Sequence, residues 1–167
     1  MPDGDTPTSL PDVIRATADE ITPLLDHSIG EILRLMREDL VMDIVFISRY
    51  AGDQAIVEHA SQSSDEFSLE GLTHPREQSF CQRVLDGRLP AVMPDVIALQ
   101  DTHEIPQTPV RPGAYMAAPV LLDGGSLYGT LCCLSHTASP ELGERHRQRL
   151  QMSARQIARL VDEAGGR

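Results

Sequence analysis

The stretch Ala114-Tyr115-Met116-Ala117-Ala118-Pro119-Val120-Leu121-Leu122, Asp123-Gly124-Gly125, Ser126-Leu127-Tyr128-Gly129-Thr130-Leu131-Cys132-Cys133-Leu134-Ser135 reads as two β runs joined by a tight turn. Glycines after an aspartate reach the positive φ values that a close reversal needs, so the two runs pair as an antiparallel hairpin. An earlier hairpin has the same form. Val41 to Tyr50 is β-rich, Ala51-Gly52-Asp53-Gln54 turns the chain, and Ala55 to Ala60 returns it.

Between the hairpins lie less regular pieces. Ser61 to Pro75 is polar and reads as irregular. Arg76 to Leu85 carries Phe80, Cys81, Val84 and Leu85 at helical spacing, and Asp86-Gly87 supplies a stop. Ala91-Val92-Met93 is long enough only for a short strand, which Pro94 ends. Ile97 to Gly113, with Pro106, Pro109 and Pro112, is a long loop, and long loops in compact domains are commonly functional.

Helices flank these elements. From Leu10, the positions Val13, Ile14, Ile21, Leu24, Leu25, Ile29, Ile32, Leu33 and Met36 recur at steps of a helix face, while Pro23 predicts a kink or two successive helices. Ser139 predicts an N-cap with Pro140 at the first helical position. Leu150, Ala154, Ile157 and Val161 fall on one face of that final helix, and Arg145, Arg147, Arg149, Arg155 and Arg159 on others. Hairpins with segregated helices define an antiparallel α+β domain.

At 167 residues the chain suits one domain, read as a disordered leader over 1–9, a single domain over 10–163 and a tail over 164–167. A net charge of -11 repels phosphate backbones and anionic membrane surfaces, which disfavours nucleic acid and membrane partners. All 14 basic residues are arginine. Three cysteines, Cys81, Cys132 and Cys133, are too few for a disulfide framework, and no apolar run is long enough to span a bilayer. Met1 to Leu10 lacks the basic and apolar regions of a secretory signal, so the expected location is a reducing cytoplasm.

Phe80-Cys81-Gln82-Arg83-Val84, Asp86-Gly87-Arg88-Leu89-Pro90 and Tyr128-Gly129-Thr130-Leu131-Cys132-Cys133-Leu134-Ser135-His136, in that order and spacing, resemble a GAF domain over roughly residues 28 to 163. GAF domains are small-molecule-sensing modules of bacterial signalling proteins, and the likeness is closest to actinobacterial-type members. The resemblance implies a central antiparallel sheet with terminal helices on one face and a pocket-forming helix and loop on the other, a GAF/PAS-like arrangement. It also implies a homodimer through the terminal helices and a signalling output domain or protein as partner.

The residues expected to meet an unidentified small molecule are Phe46, Ser79, Phe80, Cys81, Asp95, Arg111 and Tyr115. Cys81 reads either as a small buried hydrophobe or as a thiolate able to form adducts or sense oxidants. Cys132 and Cys133 are strand neighbours whose side chains point to opposite faces. Asp95 follows Pro94 and suits a loop cap accepting backbone N–H bonds, or a pocket rim. Arg111 suits an anionic ligand or a solvated loop charge. Tyr115 offers an apolar ring with a polar tip, and Phe46 and Phe80 suit core and pocket equally.

The expected function is a non-catalytic sensor with its cofactor unspecified. An alternative is a ligand-free dimerisation domain whose seam combines Ile14, Ile21, Leu25, Ile32 and Met36 with Ile157 and Val161. A further rival is a redox enzyme resembling free methionine sulfoxide reductases, which needs two cysteines in one pocket and acids for a zwitterionic substrate. No Cys-His dipeptide for bilin attachment is present, and the Asn-Lys-x-Asp motif of cyclic-nucleotide-binding relatives has no counterpart. His59, His103 and His136 are the axial candidates for haem, without a supporting pattern. No metal-ligand or hydrolase motif appears.

Overall fold

A computed structural model of the chain describes the backbone of residues 10–64 and 68–165, and side chains from residue 23 onward within them. The leader read over 1–9 and the last two residues of the tail lie outside the described residues. Helix α1 (Leu10–Leu40) leads into strands β1 (Ile44–Ala51), β2 (Gln54–Gln62) and β3 (Thr73–Pro75), then a 3-10 turn at Arg76–Gln78 and helix α2 (Phe80–Leu85). Strands β4 (Val92–Met93), β5 (Ala114–Leu121) and β6 (Leu127–Ser135) precede helix α3 (Glu144–Glu163). The strands form one sheet in the order β3-β2-β1-β6-β5-β4, with every neighbouring pair antiparallel.

Alternation along the strands divides the apolar residues between two cores. Val45 and Ile47 of β1, Met116 and Val120 of β5, and Leu131 and Cys133 of β6 meet Ile29, Leu33 and Met36 of α1 and Leu150, Ile157 and Val161 of α3. Ile44, Tyr115, Ala117, Cys132 and Leu134 face the opposite way, onto Phe80 and Cys81 of α2. The two long helices therefore share one face of the sheet, and the short helix and long loop take the other. This is the α+β architecture that the resemblance implies.

Two local features shape the α2 side. Phe46 pairs with Ala60 but Ser48 pairs with Val57, so β2 carries one extra residue in a bulge. The bulge keeps both Val57 and Ala60 with the α2-side core. Glu58 instead bonds Arg49 at 2.8 Å, and His59 sits 3.5 Å from Asp26 of α1. On β6, Gly129 lies so close to β1 that a Cβ there would stand 2.2 Å from the Ser48 carbonyl oxygen.

Several sequence expectations are corrected. Helix α1 runs unbroken through Pro23, which excludes two successive helices; Pro23 is exposed, where water can take the carbonyl left by the missing N–H. Strand β1 begins at Ile44 rather than Val41, because Val41 takes a positive φ of 55° in the preceding turn. The polar segment before Pro75 contains β3, an edge strand paired with β2. Helix α3 starts after Gly143, not at Ser139, and the His146 ring nitrogen accepts the Gly143 N–H at 3.2 Å. Ser139 belongs to the preceding turn, where its N–H donates to the Pro94 carbonyl at 2.8 Å. Among the residues proposed for a dimer seam, Met36, Ile157 and Val161 are fully buried in the core of the single chain and are not available to a second copy. The side chains of Ile14 and Ile21 lie outside the described residues.

A candidate small-molecule site beneath the long loop

Helix α2 is capped at its N-terminus by Ser79 and packs on the sheet through Phe80 and Cys81. Ser79 Oγ accepts the Gln82 N–H at 3.0 Å and donates to the Arg76 carbonyl at 2.7 Å. This bonding breaks the expected Arg76–Leu85 helix into a 3-10 turn and α2. The break fixes the direction in which Phe80 and Cys81 leave the backbone. Phe80 then stacks on Tyr115 of β5, ring centroids 5.0 Å apart and planes tilted by 33°.

The long loop is fastened to the same helix by a buried arginine. Arg83 donates from Nε to the Glu77 carbonyl at 3.2 Å and from Nη1 to the Glu104 carbonyl at 3.2 Å. Replacing Arg83 with alanine is expected to cost about 1.5–3 kcal/mol, the scale of hydrogen bonds made by a charged donor, and to speed amide exchange over residues 104–110. Hydrogen exchange with urea denaturation measures both. Unchanged exchange in that segment would show that the loop holds its place without the clamp.

Between sheet, helix and loop lies a hollow of about 50 Å³. Phe46, Ser48, Val57, Tyr115 and Leu134 form its sheet side, and Ser79, Phe80 and Cys81 its helical wall. Thr108, Pro109, Val110 and Pro112 of the loop roof it, and Leu69, Leu72 and His74 complete the rim. No aspartate, glutamate or arginine is among these residues. Two side-chain atoms on lining residues, Ser48 Oγ and His74 Nδ1, are buried without a hydrogen-bond partner. Polar atoms left so are costly unless a guest satisfies them.

A small polar group sits beside the hollow. The Tyr50 hydroxyl shares a hydrogen bond of 3.1 Å with Thr130 Oγ1, and the Arg76 guanidinium carbon lies 3.9 Å above the Tyr50 ring. The Cys132 thiol donates to the Thr130 carbonyl at 3.7 Å and also neighbours Cys81. Cys132 draws the Cys81 thiol below the usual thiol range, against an opposing effect of burial and with help from the Tyr50 hydroxyl. Burial pushes the Cys132 thiol and the Tyr115 phenol up. Burial also lowers the His74 pKa, which favours the neutral ring.

Of the residues singled out from sequence, Phe46, Ser79, Phe80, Cys81 and Tyr115 converge on the hollow. Asp95 does not: it is exposed, and its Oδ1 accepts the Ala98 N–H at 3.2 Å as a loop cap. Arg111 is also exposed and lines a separate groove of about 490 Å³ with His103 and His136. Phe80, Thr108 and Pro112 border both spaces and form the wall between them. His59, on β2, lines neither space. Sequence reading missed Ser48 and His74. Ser48 carried a signal, a hydroxyl in the Ile44, Phe46, Ser48 alternation; His74, in a segment read as irregular, carried none. Among the described residues no cluster of three or more His, Cys, Asp or Glu side chains is placed to hold a metal, and no helix is long and apolar enough to cross a membrane.

The chain thus places two long helices on one face of an antiparallel sheet and a roofed hollow on the other. The chain belongs to the GAF family, whose domain model matches residues 11–161. Among solved structures it is similar to the GAF domain of an Acinetobacter phosphoenolpyruvate-protein phosphotransferase, at 13% identity and a TM-score of 0.67, covering 95% of this chain and 97% of that one. It is similar to the phycoerythrobilin-bound GAF domain of a cyanobacterial phytochrome, at 19% identity and a TM-score of 0.64, with 95% and 97% covered. A type II free methionine-R-sulfoxide reductase from Thermoplasma acidophilum has 15% identity and a TM-score of 0.65, with 86% and 96% covered. At these identities the likeness is one of fold. No curated protein matches the chain.

Proposed function

We propose that the protein is a non-catalytic GAF sensor whose ligand is small, uncharged and largely apolar, and is seated in the hollow beside α2. The observation that carries this reading is the lining: apolar walls, no ionised side chain of the Asp, Glu or Arg type, and two unpartnered polar atoms on Ser48 and His74. A charged guest would lose its hydration without gaining a counter-charge. A neutral guest with one hydroxyl or carbonyl loses little and satisfies the waiting atoms. The same lining disfavours a zwitterionic amino-acid substrate, which needs an acid for its ammonium group.

Size narrows the class further. About 50 Å³ holds a few water-sized bodies, whereas pockets for drug-sized ligands run to roughly 300–1,000 Å³. A guest of more than a few heavy atoms requires the 108–112 roof to lift, and that coupling would convert binding into movement of the loop. Adding 2-butanol is expected to shift the amide resonances of Ser48, His74 and Val110 saturably and to raise hydrogen-exchange protection across 105–112. Butyrate, of similar size but anionic, should do neither. Equal responses to both probes, or none to the alcohol, would remove the neutral-ligand reading.

A further inference from the structure

We propose that Cys81 and Cys132 form a dithiol that hydrogen peroxide converts into a disulfide. The two thiols are buried neighbours on the α2 side of the sheet. Cys133, adjacent in sequence to Cys132, points into the opposite core against α1 and α3. The partner for Cys81 is therefore selected by strand alternation. This inference goes beyond ligand sensing and stands whether or not an organic guest uses the hollow.

Access and chemistry agree. Cys81 lines the hollow, and about 50 Å³ admits a two-oxygen oxidant while excluding a bulky thiol such as glutathione. Ser48 Oγ and His74 Nδ1, buried without partners, offer hydrogen bonds to a neutral molecule that both donates and accepts. The Tyr50 hydroxyl, which can accept from Thr130 and keep its own proton for Cys81, favours the thiolate. The Cys81 sulfur attacks one peroxide oxygen: an S–O bond forms, the O–O bond breaks, and the departing hydroxide takes a proton to become water. The Cys132 sulfur then attacks the Cys81 sulfur, so that an S–S bond forms, the S–O bond breaks, and the second hydroxide leaves as water with the Cys132 proton. Two thiols and one peroxide give a disulfide and two waters; the sulfurs lose the electron pair that the peroxide oxygens gain. The new bond would staple α2 to the middle of β6.

The test is a peptide map of the full chain after peroxide treatment and alkylation of the remaining thiols under denaturing conditions. A Cys81–Cys132 cross-link with Cys133 alkylated is expected. Cys132→Ser should stop at a Cys81 sulfenic acid that dimedone traps, and Cys81→Ser should leave Cys132 unoxidised. Far-UV circular dichroism checks both variants, and the wild-type map alone decides if either fails to fold. The proposal is overturned by a wild-type map in which Cys81 is still reduced, is linked to Cys133, or is oxidised to the sulfinic acid without a cross-link.

Discussion

Replacing Phe80 with alanine is expected to lower stability by about 3–5 kcal/mol, the range for emptying a large aromatic site in a core. Phe80 is buried in the α2-side core and stacks on Tyr115 at 5.0 Å, so its loss removes both burial and a ring contact. The functional effect has a different origin. Phe80 borders both the hollow and the outer groove, and truncation joins a space of about 50 Å³ to one of about 490 Å³. The variant should accept neutral guests larger than the wild type admits, and any thiol reagent should reach Cys81 faster. Urea denaturation gives the first quantity and the rate of Cys81 alkylation the second. A loss near 1 kcal/mol with unchanged alkylation would mean that neighbouring side chains collapse into the gap and that Phe80 is not the wall.

Gly129→Ala is expected to cost about 3 kcal/mol, at the upper end for overpacking, because the obstruction is backbone. The new Cβ would lie 2.2 Å from the Ser48 carbonyl oxygen and 3.2 Å from the Ser48 carbonyl carbon. No rotamer relieves such a contact, so β1 and β6 must part where they pair as Arg49 with Gly129 and Ser48 with Thr130. Because Ser48 lines the hollow, amide shifts should spread into Val57 and Tyr115 as well. Chemical denaturation together with a two-dimensional NMR comparison checks both parts. A variant within about 0.5 kcal/mol of wild type, the range of ordinary surface changes, would show that the strands separate easily.

The sheet was legible because its signals are local. Asp123-Gly124-Gly125 reverses the chain between two apolar runs, and Gly124 and Gly125 do take positive φ values of 87° and 89°. Cys132 and Cys133 were sorted correctly to opposite faces by alternation alone. Ser139-Pro140 misled because serine before proline is a good helix start, while the true start uses the Gly143 backbone and the His146 ring, which no propensity marks. The seam residues failed for a related reason. A helix face shows that something apolar covers it, and here the cover for Met36, Ile157 and Val161 is the chain's own sheet. Within the site, Phe80, Cys81 and Tyr115 could be named from sequence, but Ser48 and His74 matter through what they lack, and missing partners are visible only in three dimensions.

Cys132 and Cys133 lend the neighbouring pair a mechanical meaning. One looks toward α2, the other into the layer that holds α1 and α3. A single peptide unit separates the α2-side core from the core of the two long helices. A covalent bond to the first sulfur would therefore act one residue away from the helices' own layer, across a planar peptide that resists twisting.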